Sequence, residues 1–302
     1  MLTFTSLGRK GNLGNQLFQI SSTIGIAKKN NQKFSFPEWQ YSKYFVNELP
    51  QLDKNKKFIQ IVENAYEFHN WEVETGDYDI NGVLQSEKYF DIEETKSAFH
   101  FKSDFINALT LKYNFLFKEK HIIISVRRGD FVHHPHYYQL PYEYYFLAIV
   151  ENFPDWKERK LIFMSDDIKY CKHHFGFLPN TFFLENLTAI EQLAIASQGT
   201  NFIISNSTFS WWAAWLGEKE NSKIIRPIKN FRGIFAGKNN DKDYFPDRWI
   251  EFDYKKKKIE NKYLALLLKG ELGKVKDFFN FLIHFTQENK RKIFNKIANS
   301  IK

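Results

Sequence analysis

A single cysteine, Cys171, stands in a chain of 302 residues, so no disulfide can close within it and nothing calls for an oxidising compartment. Glycine (14 residues) and proline (8) are too few for a collagen-like or low-complexity chain, and 43% hydrophobic residues are too many for a disordered one. Long apolar runs are also missing. The longest stretch without a charge, Gln192 to Gly217, covers 26 residues but is interrupted by Gln198, Asn201, Ser205, Asn206, Ser207, Thr208 and Ser210. Such a segment suits buried elements of a soluble fold better than a bilayer span. The opening Met1-Leu-Thr-Phe-Thr-Ser-Leu7 has no basic region and no long apolar region, so a signal peptide is not read and a cytoplasmic location is expected.

What the chain does have is aromatic residues, 18% of the total, and a formal charge of +8. The charge is local. Residues 255–302 hold 12 Lys and one Arg against four acidic residues, a net of +9, which leaves −1 for residues 1–254. A near-neutral body, with no strand on which basic and aromatic residues interleave, argues against a nucleic-acid-binding protein.

Residues 1–7 read as a strand, Gly8, Gly11 and Gly14 as a turn, and Asn15 to Asn30 as a helix, while residues 31–93 give no clear order. A helix is expected over 94–118. From residue 121 short apolar strands (121–126, 161–164, 181–184, 202–204, 223–225) alternate with helices (142–151, 168–174, 189–197, 208–217). That alternation predicts an α/β fold with a doubly wound parallel sheet covered on both faces. Length and pattern together suggest residues 1–118 as one domain, 119–254 as a second, and 255–302 as a basic helical tail.

Ligands of open parallel sheets bind beyond the carboxyl ends of the strands. Four polar segments fall there: Gly11-Asn-Leu-Gly-Asn-Gln16, Arg127-Arg-Gly-Asp130, Ser165-Asp-Asp167 and Ser205-Asn-Ser-Thr-Phe-Ser210. A guanidinium fixed after an Ile/Val strand suits a phosphate, or else pairs with Asp130 or Asp166. Ser207, Thr208 and Ser210 open a helix, where a hydroxyl can cap the chain, face an anion, or do both. One of Asp166 and Asp167 is expected to cap the next helix and the other to accept from ribose hydroxyls or guanine N–H groups. Asp77-Tyr-Asp79 is a possible metal-binding pair, and with it a metal-dependent sugar transferase is a further reading. His133, His134 and His136 flank Pro135 as a metal cluster, a base or an exposed loop. Cys171, His173 and His174 read as one helix face.

In order, GNLGNQLFQ (11–19), VRRGD (126–130), SDD (165–167) and SNSTFSWWAAWL (205–216) resemble the motifs of the bacterial α-1,2-fucosyltransferases of glycosyltransferase family 11. The resemblance implies a GT-B-like fold of two Rossmann-like domains with a cleft between them. It also implies inverting, metal-independent transfer of L-fucose from GDP-β-L-fucose, with no cofactor, to a galactose-terminated glycan. Arg127 then holds the β-phosphate, Arg128 and Asp130 organise it, and Asp166 or Asp167 reads guanine or ribose. Gly14, Asn15 and Gln16 line the cleft, and Asn206, Ser207, Thr208, Phe209 and Ser210 complete the donor site. Ser125 stands where relatives often carry a histidine. Asp130 is the first candidate for the general base; the neighbouring arginines oppose proton uptake there, which leaves His133, His134 and His136 as alternatives. The acceptor is expected between loops in 31–93 and 131–140, near Trp39, Tyr41, Tyr44, Trp71, His136, Tyr137 and Tyr138.

In the tail, Leu272, Val275, Phe278, Phe279, Leu282 and Ile283, then Ile293, Phe294, Ile297 and Ile301, follow helical spacing with basic residues on other faces. Two readings stand: an interfacial helix at an anionic membrane leaflet, or a helix packed across the body.

Overall fold

A computed structural model describes residues 1–53 and 55–279. Strands β1 (Leu2–Thr3), β2 (Phe34–Ser35), β3 (Ile59–Val62) and β4 (Tyr78–Asn81) form a parallel sheet in the order β2-β1-β4-β3. A second parallel sheet contains β5 (His121–Val126), β6 (Lys160–Ser165), β7 (Thr181–Phe183), β8 (Phe202–Ile204), β9 (Ile224–Pro227) and β10 (Ile250–Phe252). Its order, β7-β6-β5-β8-β9-β10, is that of a dinucleotide-binding fold, with the direction of winding reversing between β5 and β8. In the first sheet the chain passes from β1 to β2 on one side and then crosses to β3 and β4 on the other. The α/β architecture of two parallel sheets flanking a cleft is the one expected from the alternation and the resemblance.

The helices are α1 (Leu13–Lys29), α2 (Ile92–Ala98), α3 (Ser103–Tyr113), α4 (Tyr142–Asn152), α5 (Ile168–Phe175), α6 (Ala189–Ala196), α7 (Thr208–Gly217), α8 (Gly233–Lys238) and α9 (Asn261–Glu271). The expected single helix over 94–118 is broken. Phe99 and Phe101 turn inward to pack on Phe45, and an extended bridge pairs Phe101 with Phe45, so residues 99–102 leave the helix to bury two rings. The first strand is shorter than expected, because Phe4 to Lys10 fold into turns that the positive φ of Gly8 (79°) and Gly11 (78°) permits. No helix among the described residues is long and apolar enough to cross a membrane.

Side chains of β5 alternate between two cores. Ile122, Ile124 and Val126 face α4 and α5, whereas Ile123 joins a core shared with the N-terminal half. That shared core joins the two halves firmly. The Phe18 ring of α1 lies 4.6 Å from Trp211 and 5.2 Å from Trp212 of α7, and Phe90 stacks on Trp212 at 5.4 Å. Nearby, buried Asp243 takes a hydrogen bond from the Phe68 N–H (3.1 Å) and pairs with Lys88, while Arg248 bridges Glu87 and Glu218. These contacts hold the two halves together beside a cleft that the carboxyl ends of both sheets face.

Candidate active site

The cleft encloses about 880 Å³ and runs between the carboxyl ends of the two sheets, at the β5–β8 reversal of the second. Its N-terminal wall is the glycine turn and the start of α1. Gln16 and Gln19 are buried in α1 and spend their amides on that turn: Gln16 Nε2 donates to the Gly11 carbonyl (2.8 Å) and Gln19 Nε2 to that of Lys10 (3.0 Å). Trp39 Nε1 in turn donates to Gln16 Oε1 at 2.8 Å. Gln16 lines the cleft chiefly as a brace for Gly11 to Asn15. Gly14 brings α1 against the first turn of α7: a Cβ there would meet the Phe209 nitrogen at 2.5 Å.

The opposite wall starts at the end of β5. Arg127 is held on both sides, its Nη2 by Asp130 and its Nη1 by Asp166 Oδ2 at 3.0 Å. Asp166 Oδ1 also accepts the Arg128 N–H at 2.9 Å. Gly129 makes this possible, since a Cβ at that position would lie 2.3 Å from Asp166 Oδ2. The two carboxylates orient the guanidinium at the β5–β8 reversal, and each Nη keeps a further N–H for an anionic ligand.

The structure divides the two doublets. Arg127 and Asp166 line the cleft, and Arg128 and Asp167 do not. The Arg128 guanidinium lies over the Tyr170 ring at 4.0 Å, and Asp167 caps α5 by accepting the Tyr170 N–H at 3.0 Å. The serines at the start of α7 are also largely committed. Ser125, Ser205 and Ser210 form a hydroxyl trio with 2.7 Å between Oγ atoms, tying β5, β8 and α7 together, and Ser207 caps Phe209 at 3.2 Å. Asn206 Nδ2 donates to the Asn230 carbonyl at 2.7 Å. Thr208 and the N-terminal end of α7 remain facing the cavity.

None of His133, His134 and His136 lines the cleft. His134 Nδ1 instead accepts the backbone N–H groups of His136 and Tyr137, both at 3.1 Å, and the His136 ring stacks on Phe235 at 4.5 Å. Asp130 and Asp166 are the carboxylates among the described lining residues. Asp77 and Asp79 lie elsewhere: Asp77 pairs with Lys56 (2.7 Å) and the N-terminal ammonium (3.5 Å), and Asp79 accepts from Thr5 N (2.8 Å) and Oγ1 (2.6 Å). Those carboxylates fasten the ends of the first sheet. Of the aromatic residues expected near an acceptor, Tyr41 and Tyr137 line the cleft and the others do not.

Several lining residues carried no signal in the sequence. A directed hydrogen-bond chain crosses the cleft: Asn230 Nδ2 donates to Tyr66 Oη (3.0 Å), Tyr66 to Gln85 Oε1 (2.9 Å), and Gln85 Nε2 to Asn15 Oδ1 (3.0 Å). Burial pushes the Tyr66 phenol well above its ordinary pKa, so it remains a neutral donor. The chain fixes the Asn15 amide with its oxygen engaged, which leaves its NH2 group as the available donor. Phe231 and Phe235 add an apolar wall next to Tyr137, with Lys238 beside them.

Glu63 supports the β4 side of the site. Its carboxylate accepts the Val83 N–H at 2.6 Å and the Leu84 N–H at 3.1 Å, and Val83 lines the cleft. Burial raises the Glu63 pKa, and the two N–H donors oppose the rise. A raised folded-state pKa gives stability that is present below the ordinary Glu range and lost as pH rises through the raised value. Glu63→Gln, which keeps an acceptor and removes the buried charge, is therefore expected to unfold at a higher temperature than the parent at neutral pH. The advantage should vanish in acid. Melting curves at both pH values test this, and a variant equally weakened at both would contradict it.

The glycosyl transferase family 11 model matches residues 2–253, which include every residue of this cleft. Among curated proteins, the O-antigen biosynthesis glycosyltransferase WbnK of Escherichia coli is 35% identical over 137 residues, 42% of this chain and 43% of that protein, so the match spans less than half of that relative's length. An alpha-1,2-colitosyltransferase of Escherichia coli is 23% identical over 283 residues, 80% of this chain and 97% of that protein. Among solved structures, the alpha-1,6-fucosyltransferase NodZ soaked with GDP-fucose aligns with a TM-score of 0.46 at 12% identity over 71% of this chain and 91% of that one. A mutant of Arabidopsis thaliana FUT1 in complex with GDP aligns with a TM-score of 0.47 at 11% identity over 87% of this chain and 79% of that one. With its two sheets and the whole cleft inside the matched range, the chain belongs to glycosyl transferase family 11 and is a glycosyltransferase.

Proposed function

We propose that this chain is a galactoside 2-α-L-fucosyltransferase that uses GDP-β-L-fucose and acts, with inversion and without a metal, on a terminal galactose of a bacterial surface glycan. The observation that carries the reading is Arg127, held by Asp130 and Asp166 at the strand reversal of a family 11 sheet and facing the start of α7. In the reaction the galactose 2-OH oxygen bonds to fucose C1 from the face opposite the diphosphate. The bond from C1 to the β-phosphate oxygen breaks, its electron pair leaves with GDP, and the hydroxyl proton passes to a carboxylate. Negative charge grows on the β-phosphate as this happens. A preorganised guanidinium and the N–H groups at the start of α7 bind that charge more strongly in the transition state than in the ground state.

Asp130 is assigned as the base. Of the two lining carboxylates it is the more exposed, with 61% of its side chain accessible against 28% for Asp166, and Asp166 has both oxygens in hydrogen bonds to the Arg127 segment. Asp130→Asn keeps an oxygen that can accept from Arg127 Nη2, so it is expected to lower kcat about a hundredfold with little change in the KM for donor. The function itself is tested by incubating the protein with GDP-fucose and lactose or a galactosyl-hexosamine in EDTA and measuring GDP. Absence of any galactoside-dependent release would overturn the proposal.

A second reading concerns the donor sugar alone. The relative matched over 97% of its length is named an alpha-1,2-colitosyltransferase, which favours a colitosyl donor in the same cleft. Turnover with the two donors in competition separates the readings.

A further inference from the structure

The C-terminal helix presents two opposite faces to two different surroundings. One face seats on the body. Tyr263, Gly270 and Gly273 are buried, and the two glycines lie so close to the body that a Cβ would meet the Tyr142 ring at 2.0 Å and the His174 ring at 2.8 Å. Tyr142 Oη donates to the Leu266 carbonyl at 3.3 Å, and Asp277 engages His173 Nδ1 (2.8 Å) and His174 Nε2 (3.0 Å). The docking is thus specific over α9 and the helical residues 273–279.

The other face is an apolar ridge. Leu264, Leu268, Leu272, Val275 and Phe279 recur at intervals of three and four residues, the spacing of one helix face, with Phe278 beside them. All are 43% to 63% exposed. Lysines border it on both sides. Lys262, Lys269 and Lys276 are spaced seven residues apart and form one row, and Lys274 lies across the ridge from them. Lys262 pairs with exposed Glu260, and Lys274 with half-buried Glu271. One acidic residue, Glu271, stands at the ridge's edge, seven residues from both Leu264 and Phe278, and its charge is met by Lys274. Long lysine side chains beside an apolar strip let the strip enter hydrocarbon while the ammonium groups stay at headgroup level.

We propose that this ridge docks on the surface of an anionic lipid bilayer, with α9 and residues 273–279 lying in the interface and the catalytic body above it. Charge selects this occupant over the others. Residues 280–302 carry a net +4, five basic residues against one acidic, so the lysine borders repel them, and two copies of the ridge would set lysine against lysine. An anionic leaflet matches the lysines and the apolar strip together, and the near-neutral body adds no competing field.

Cosedimentation of the full-length protein with vesicles tests the proposal, using phosphatidylcholine alone and phosphatidylcholine containing about one third phosphatidylglycerol. Strong preference for the anionic vesicles is expected. Leu268→Ser with Leu272→Ser should weaken partitioning about tenfold. Lys262→Gln, Lys269→Gln and Lys276→Gln together should do the same, and the parent's binding should fall in high salt. Both variants alter exposed side chains, so each should keep the parent's melting temperature. Equal binding to both vesicle types would overturn the proposal. So would unchanged anionic binding by the leucine variant, which would mark a plain polyanion contact. A leucine-dependent dimer with no vesicle binding would overturn it in favour of a second copy.

Discussion

Arg127→Ala is expected to lower galactoside-dependent turnover about a thousandfold, the scale seen when a preorganised donor to a developing anion is removed. The fold should survive. Asp130 is largely exposed and Asp166 keeps the Arg128 N–H at 2.9 Å, so losing the two ion pairs should cost about 1–3 kcal/mol. Arg127→Lys is the sharper probe. It keeps the charge, but one ammonium cannot reach Asp130, Asp166 and a phosphate in the plane that the fork spans. A loss of about a hundredfold for lysine against a thousandfold for alanine would separate geometry from charge. Steady-state rates and calorimetric GDP affinity measure both, and an alanine variant within tenfold of the parent would remove Arg127 from its proposed role.

How much of this site could be read from residues alone depends on how each residue finds its partner. The second sheet was legible because its central strands carry apolar runs such as Ile122 to Ile124, buried on both faces, and polar or charged residues begin where each strand stops. Strand ends in such a sheet mark a ligand site, which brought Arg127, Asp166 and Thr208 to notice. The same reasoning could not separate Arg127 from Arg128 or Asp166 from Asp167. Neighbouring side chains point in different directions, and only the fold shows Tyr170 beneath Arg128 and the first turn of α5 above Asp167. Hydroxyls were ambiguous for a related reason: Ser125, Ser205 and Ser210 satisfy one another across 85 residues of sequence.

The N-terminal half was less legible. Its strands run two to four residues, and β3 exposes Ile59 and Val62, so no alternation marks a buried face. Tyr66, Gln85 and Asn230 come from three loops and acquire a shared role only where the halves meet. The helix expected over 94–118 failed because burying Phe99 and Phe101 against Phe45 outweighed local helix preference. The tail residues from Leu282 to Ile301 lie outside the described residues.

Gly14→Ala is expected to cut kcat/KM about a hundredfold, although it adds one methyl group and removes no functional group. The methyl would stand 2.5 Å from the Phe209 nitrogen, 2.6 Å from the Thr208 carbonyl carbon and 2.8 Å from Thr208 Oγ1. These are mostly backbone atoms and cannot rotate away, so α1 and the first turn of α7 must part. Overpacking of this kind costs about 1–3 kcal/mol. Alanine's better helix propensity offsets about 1 kcal/mol of that. The loss of stability is thus modest, whereas displacing the N-terminal ends of two helices by a fraction of an ångström misaligns the Thr208 region with Arg127. Gly25→Ala provides the contrast. Its Cβ would meet the Tyr89 carbonyl oxygen at 1.8 Å, a harsher clash within the same helix, yet Gly25 does not line the cleft. Assayed well below both melting temperatures, Gly25→Ala should be the less stable protein and the more active enzyme. If activity in the two variants instead follows the folded fraction alone, the contact between α1 and α7 at Gly14 serves packing and not the alignment of the donor site.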